Sequence, residues 1–387
     1  MNFVIISPHF PPNYHRFWSA LKARNVNTLG IGEDPYDSLP PEVRNALTEY
    51  YRVDNMNEYE QLLRACGHFT FQYGKIDRIE SNNEFWLETD ARLRTDFNVS
   101  GLKTTEMYPL KYKSGMKPVF QAAGIPTAPG ILIKEPKDAA DFMRNHHYPV
   151  IAKPDNGVGA YATYKLHNDD ELAEFLDHKL PVDYFMEVFI DGTICSFDGM
   201  TDQQGRIVLS SGLVYGIGVM ESVNEDRDMF IYIPRELPPK VVAAGEKAVK
   251  AFNLRERFFH LEFFLTDDGD IIALELNARP PGGMIVDMIN FANDINVYEL
   301  YARLITESHL EVEVDRRYNC FYLGLKDHFQ YVLSPEEVAQ RYPGSVVFHG
   351  PISPAFAAAM GNYAIIVRTP DLAEGHAIQQ AAMEKRT

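Results

Sequence analysis

The stretch Arg257-Phe258-Phe259-His260-Leu261-Glu262-Phe263-Phe264-Leu265-Thr266-Asp267-Asp268-Gly269-Asp270-Ile271-Ile272-Ala273-Leu274-Glu275-Leu276-Asn277-Ala278-Arg279 decides how the rest of the chain is read. Two alternating runs flank Asp268-Gly269, a dipeptide that tolerates positive φ and suits a two-residue hairpin turn. With Asp267 facing Asp270, counting back along both strands sets Glu262 opposite Glu275 and His260 opposite Asn277. All four share one face, because strand side chains alternate with period two. The other face is then Leu261, Phe263, Leu265, Ile272, Leu274 and Leu276, and a one-residue slip would drive both carboxylates into the core.

Two carboxylates with Cβ atoms roughly 5 Å apart repel each other unless a positive charge lies between them. A divalent cation answers that need, and hard oxygen ligands without His or Cys favour Mg²⁺, which shares its remaining positions with water and substrate phosphates. Arg279, two residues along the same face, supplies a fixed cation for charge that develops during phosphoryl or acyl transfer. Pro280-Pro281-Gly282-Gly283 then offers backbone N–H groups where an anion could dock. A solvated strand face would account for one glutamate. Four polar groups of the same parity beside a Gly-Gly helix start favour a site.

Three other segments bear on the same chemistry. Tyr148 to Thr163 places Lys153 at the end of an apolar strand, followed by a small-residue loop around Gly157, Gly159 and Ala160, a combination able to set an ammonium and several amides around phosphates. Taken alone it is equally a strand-to-hairpin connection with a snorkelling lysine, and no GxxxxGK[ST] or GxGxxG motif occurs. Lys111, Lys113 and Lys117 form a basic run in an acidic chain, which by itself reads as a solvated face. Tyr184 to Gly192 is an apolar strand interrupted by Glu187, able to present backbone to a purine while Glu187 accepts from its amine, though as a lone feature it is an edge strand.

The chain has 387 residues, 45% hydrophobic and 24% charged, which predicts two to three globular domains and excludes disordered and collagenous classes. A net charge of −17 sets nucleic-acid and anionic-membrane roles aside. Cys66, Cys195 and Cys320 are far apart and are expected as reduced, buried thiols. The opening residues lack a basic leader, so a cytoplasmic protein is expected. Strands and helices alternate from Phe3 to Ile79, predicting a parallel sheet with covering helices. The organisation expected is an α/β N-terminal domain over 1–103, a helical linker and central lid subdomain over 104–190, a C-terminal antiparallel-sheet domain over 191–310, and an appended α/β subdomain over 311–387.

In this order the four segments resemble the ATP-grasp superfamily along nearly the whole chain. The resemblance implies that fold, with a Rossmann-like N-terminal domain, a small central lid and an ATP-binding C-terminal sheet. It implies ATP and Mg²⁺ (or Mn²⁺ in its place) as cofactors. Lys113 and Lys153 would contact the phosphates, with Lys153 also catalytic, and Gly157 to Ala162, including Gly159 and Ala160, would form the loop over them. Glu187 and the backbone of Val188 to Ile190 would hold adenine. Glu262, Glu275 and Asn277 match the Mg²⁺ ligands, and Arg279 the transition-state arginine. The implied activity is ADP-forming ligation: a small carboxylate is activated as its acyl phosphate and attacked by an amine, as in amino-acid and dipeptide ligases. No nucleic-acid or membrane partner is implied, and a homodimer is expected. Carboxylation or formylation through the same intermediate, and a non-catalytic nucleotide-binding relative, are the alternatives. Gly283-Met284 stands where biotin carboxylase carries a Glu-His pair, and Ile194 where many members place a ribose-binding Glu, leaving Asp191 or Asp198 as substitutes. Tyr215, Glu221 and Arg227 are candidates for the acceptor pocket, and His328 reads as structural.

Overall fold

A computed structural model describes residues 1–157, 161–218, 222 and 225–386. Strands β1 (Asn2–Ile6), β2 (Asn27–Gly32), β3 (Glu49–Arg52) and β4 (Arg78–Glu80) form a parallel sheet in the order β3-β2-β1-β4. Every residue of β1 is buried, as expected of a central parallel strand covered on both faces. The half-exposed β3 has no apolar run and escapes a hydrophobicity reading.

Next come β5 (Gly130–Ile133), β6 (Val150–Pro154), β7 (Tyr164–Leu166) and β8 (Tyr184–Val188), a small antiparallel sheet in the order β5-β8-β6-β7 with its own core around Ile133, Val150, Phe175 and Tyr184. The helix Lys113–Ala122 precedes it.

The largest sheet holds β9 (Thr193–Thr201), β10 (Ile207–Ser211), β11 (Val214–Tyr215), β12 (Met229–Ile233), β13 (Arg257–Leu265), β14 (Ile271–Asn277), β15 (Asn319–Leu325), β16 (Val346–Pro351) and β17 (Tyr363–Thr369). Its order is β14-β13-β9-β11-β12-β15-β17-β16, with β10 beside β9. The tail, expected from residue 311 as an appended subdomain, instead extends this sheet, because β15 pairs with β12 over five residues. The three cysteines are buried and unpaired, and burial pushes the Cys66 thiol up to about 12 and the Cys195 thiol to about 11. Among the described residues no helix is long and apolar enough to cross a membrane.

The hairpin differs from the two-residue turn expected at Asp268-Gly269. Thr266 N–H donates to the Asp270 carbonyl at 3.0 Å and Gly269 N–H to the Thr266 carbonyl at 2.8 Å, so the loop is the three residues Asp267, Asp268 and Gly269, with Gly269 at φ +76°. A bulge at Leu274 then restores the phase: Phe263 pairs with Ala273 but Glu262 with Glu275. Between the two events Ile271 and Ala273, not Ile272 and Leu274, face the core with Leu261, Phe263 and Leu276.

Candidate functional site

The bulge leaves three strands, β14, β13 and β9, in step at one end of the large sheet. Asp198, His260 and Asn277 form one cross-strand row, and Ser196, Glu262 and Glu275 the next. Their shared parity sends these side chains to one face. That face borders a cavity of about 520 Å³ also reached by Lys113, Lys153, Glu187, Val188, Ile190 and Arg279. The sequence-predicted residues from four separate segments therefore meet. Gly157 lies at the rim, its carbonyl 3.0 Å from Lys113 Nζ. Gly159, Ala160 and Glu221 lie outside the described residues.

Around Glu262 the charges are fixed by neighbours. Asp198, fully buried, accepts from Ser196 Oγ at 2.6 Å and lies 2.5 Å from His260 Nδ1, while His260 Nε2 stands 3.5 Å from Glu262 Oε1. Burial opposes an imidazolium here, but Asp198 and Glu262 outweigh it and raise His260 to about 10. Burial likewise opposes the Glu262 carboxylate, and the His260 charge overrides it, holding that carboxyl at about 2. On the next strand Glu275 Oε2 lies 3.6 Å from Lys113 Nζ, and Glu275 Oε1 accepts from Asn277 Nδ2 at 3.3 Å. Each glutamate thus has a cationic neighbour, His260 beside Glu262 and Lys113 beside Glu275, which offsets the repulsion of two facing carboxylates. The Glu262, Glu275 and Asn277 oxygens are of the hard type a divalent cation takes, although among the described residues no three His, Cys, Asp or Glu side chains are grouped to hold a metal ion. Asn277 also accepts from Arg279 Nη2 at 3.4 Å, and Arg279 Nε lies 3.2 Å from Glu84 Oε2.

At the opposite wall, Lys153 Nζ and Lys117 Nζ each lie 2.6 Å from one oxygen of Glu187. Burial would raise the Glu187 pKa, and the two ammoniums, Lys117 first, bring it down to about 2. Both Glu187 oxygens face ammonium groups, so its carboxylate is the counter-ion of Lys117 and Lys153 within the site. Val188, Phe189 and Ile190 continue the wall with Phe264 and Leu274, giving an apolar slot, and the Val188 and Phe189 N–H groups donate to the Pro129 and Pro149 carbonyls at 2.9 and 3.2 Å. Leu274 reaches this slot only because it is the bulged residue. Asp198 is committed to His260 and cannot serve a ribose, and Asp191 is exposed and does not border the cavity.

Several residues that border or support the cavity were missed by the sequence reading. Lys117 was legible, since it lies four residues after Lys113 on one helix face. Asp155 was not: its carboxylate accepts from Ser114 N–H at 2.8 Å and from Ser114 Oγ at 2.6 Å, capping the Lys113–Ala122 helix from another segment. Glu84, Asn82 and the tail residues Phe356 and Met360 also border the cavity, brought there by topology alone. Of the acceptor-pocket candidates, Tyr215 borders it, and Arg227 lies instead 3.5 Å from Glu225. His328 stands 3.0 Å from Asp226, beside Lys326.

Residues 146–287 match the family described as ATP-grasp domain. The L-arginine-specific L-amino acid ligase of Bacillus subtilis is 23% identical over 264 residues, covering 64% of this chain and 62% of that ligase, so the chain matches less than two thirds of this relative's length. The L-amino acid ligase from Bacillus licheniformis has a similar solved structure, with a TM-score of 0.77 at 18% identity, covering 98% of this chain and 96% of that one. N5-carboxyaminoimidazole synthetase from Staphylococcus aureus superposes with a TM-score of 0.73 at 14% identity, covering 99% and 97%. These likenesses establish the fold.

Proposed function

We infer the activity of this chain from the match of residues 146–287 to the ATP-grasp domain family together with the cavity described above. The chain is an ADP-forming ligase that joins a small carboxylate to an amine. The observation that carries this reading is Glu262 facing Glu275 across two strands, with Arg279 beyond them and Lys113 and Lys153 on the opposite wall.

The apolar slot of Val188, Ile190, Phe264 and Leu274 takes the adenine ring, whose edge meets strand-end backbone. Lys153, its charge reinforced by Glu187 against the burial that opposes it, and Lys113 contact the phosphates. Lys117 balances the second Glu187 oxygen, so Lys153 is held extended toward the cavity. Glu262, Glu275 and Asn277 would hold Mg²⁺, which when bound would neutralise phosphate charge. Mn²⁺ would use the same oxygens.

The reaction has two displacements. A carboxylate oxygen attacks the γ-phosphorus of ATP, the bond to the β-phosphate oxygen breaks, and ADP leaves. The amine nitrogen then attacks the acyl carbon, the C–O bond to phosphate breaks, inorganic phosphate leaves, and the nitrogen gives up a proton. Arg279 sits where negative charge builds in both steps, and phosphoryl transfer depends chiefly on such positioning and charge stabilisation. The enzyme works on small molecules. ADP release by the purified full chain, dependent on Mg²⁺ and on a carboxylate and amine supplied together, tests the reading. ATP binding without ADP release over a broad panel of such pairs overturns it.

A further inference from the structure

The edge strand of the N-terminal sheet, β4, meets the start of β13 through crossed charges. Arg78 Nη2 lies 2.8 Å from Glu256 Oε1, and Arg257 Nη2 donates to both Glu80 oxygens at 2.8 and 3.0 Å. Arg94 Nη1 closes on the same Glu80 carboxylate at 2.8 Å. Glu80, Arg94 and Arg257 are all buried, and the ligase chemistry described above uses none of them. Burial opposes a charged Glu80, but Arg257 and then Arg94 outweigh it and hold the carboxyl below its usual range. Buried ion pairs stabilise a fold little, because desolvation cancels most of the attraction, so the informative feature of this one is what it orients.

The pairing of β13 with β14 ends at His260 and Asn277, which leaves the Ala278 carbonyl past the end of the ladder. Arg257 reaches it: Nη1 donates to that carbonyl at 2.8 Å while Nη2 stays on Glu80. The planar fork thus spans an anion of the N-terminal sheet and the peptide group that joins Ala278 to Arg279, and a lysine ammonium has no such fork. Fixing one atom of a planar peptide group fixes the plane from which Arg279 departs. Arg279 Nη1 in turn donates to the Pro280 carbonyl at 2.9 Å, so its side chain folds over the backbone that Arg257 holds. The same N-terminal segment returns four residues later, where Glu84 Oε2 lies 3.2 Å from Arg279 Nε. Between the two glutamates the turn is pinned by Ser81, whose N–H and hydroxyl donate to Asp90 at 2.9 and 2.7 Å. One stretch of the N-terminal domain therefore grips Arg279 twice, by its backbone and by its guanidinium.

We propose that Arg257 is a positioning residue for the ligation: braced by Glu80, it sets the Ala278–Arg279 peptide plane and so aims the Arg279 guanidinium at the phosphoryl group in transit. The proposal rests on the ligase reading and on the place of Arg279 in it. A misplacement of about 1 Å in such a group costs on the order of 10²-fold in rate, with little effect on the binding of nucleotide elsewhere in the cavity.

The test is ADP release by the full chain with Mg²⁺, ATP and the carboxylate and amine pair that wild type turns over fastest in a panel of amino acids and simple amines, set beside calorimetric titration of MgADP. Arg257→Lys keeps the charge and loses the fork. It is expected to lower kcat at least tenfold while the KM for ATP and the affinity for MgADP move less than twofold. Glu80→Asp keeps every charge and shortens the brace by one methylene; kcat is expected to fall at least threefold, again with MgADP affinity unchanged. Arg78→Met breaks the neighbouring Arg78–Glu256 pair of the same interface and is expected to keep kcat within twofold. Wild-type kcat in folded Arg257→Lys or folded Glu80→Asp, or a loss in Arg78→Met equal to theirs, reduces the cluster to a contact between domains and overturns the proposal while the ligase stands. MgADP affinity falling in step with kcat overturns it as well. ADP release by wild type from no carboxylate and amine pair removes the ligase reading and the proposal with it.

Discussion

Glu262 stands directly across from Glu275 although the hairpin joining their strands is one residue longer than a two-residue turn, because Leu274 bulges out and cancels the offset. The same bulge turns Leu274 into the apolar slot. One inserted residue thus brings the acidic pair into register and lays a hydrophobic surface beside it.

Glu275→Gln is expected to reduce Mg²⁺-dependent ADP formation at least ~100-fold, since a neutral amide is a far weaker ligand for a hard cation. Glu275 is partly exposed at the cavity wall, so circular dichroism melting of the variant is expected to stay within a few degrees of wild type.

Asp198→Asn removes the charge that holds His260 against Glu262. Groups that orient a metal ligand from behind change affinity about 10- to 100-fold, so the Mg²⁺ concentration for half-maximal ADP release is expected to rise by at least ~10-fold. The KM for the amine, measured at saturating Mg²⁺, is expected to change much less.

Lys117→Met breaks one arm of the buried Lys117–Glu187–Lys153 trio. Removing one partner of a buried ion pair costs about 3–5 kcal/mol. Urea unfolding is expected to show a loss of that order, and the double variant Lys117→Met/Glu187→Gln is expected to lose less than the two single changes together.

The acid limb of stability is expected to reflect Glu187. Its folded pKa, about 2, lies below the ordinary 4.5, so the stabilisation is complete above pH 4.5 and is lost as pH falls toward 2. The stability gap between wild type and Glu187→Gln, followed by denaturant titration, is expected to narrow from pH 5 to pH 3.

Gly269 has φ +76° and only Lys240 Nζ, at 3.6 Å, near its missing Cβ. Gly269→Ala therefore isolates the backbone cost, about 1 kcal/mol, and is expected to lower the melting temperature slightly without changing ADP release.

The parts of this molecule that were legible in the sequence are those set by local periodicity. Alternation along 257–279 identified the face carrying His260, Glu262, Glu275 and Asn277, and the apolar run of 3–6 identified a buried strand. The loop length was not legible, because Asp-Gly serves two- and three-residue loops alike and only the Thr266–Asp270 pairing distinguishes them. Nor was the role of Glu187, since both lysines that claim it come from segments more than 30 residues away. Glu84, Asn82 and Met360 carry no local pattern at all; the cavity they border exists only after three parts of the chain have met.

The placement of β15 between β12 and β17 has a consequence for biosynthesis. The slot formed by Val188, Phe264 and Leu274 is complete once residue 277 has been made, but Phe356 and Met360 are translated much later, in the short helical turns between β16 and β17. A nascent chain stalled on the ribosome near residue 310 would hold the acidic pair and both lysines yet lack the side of the cavity that Phe356 and Met360 supply. Assembly of that side awaits the final stretch of translation.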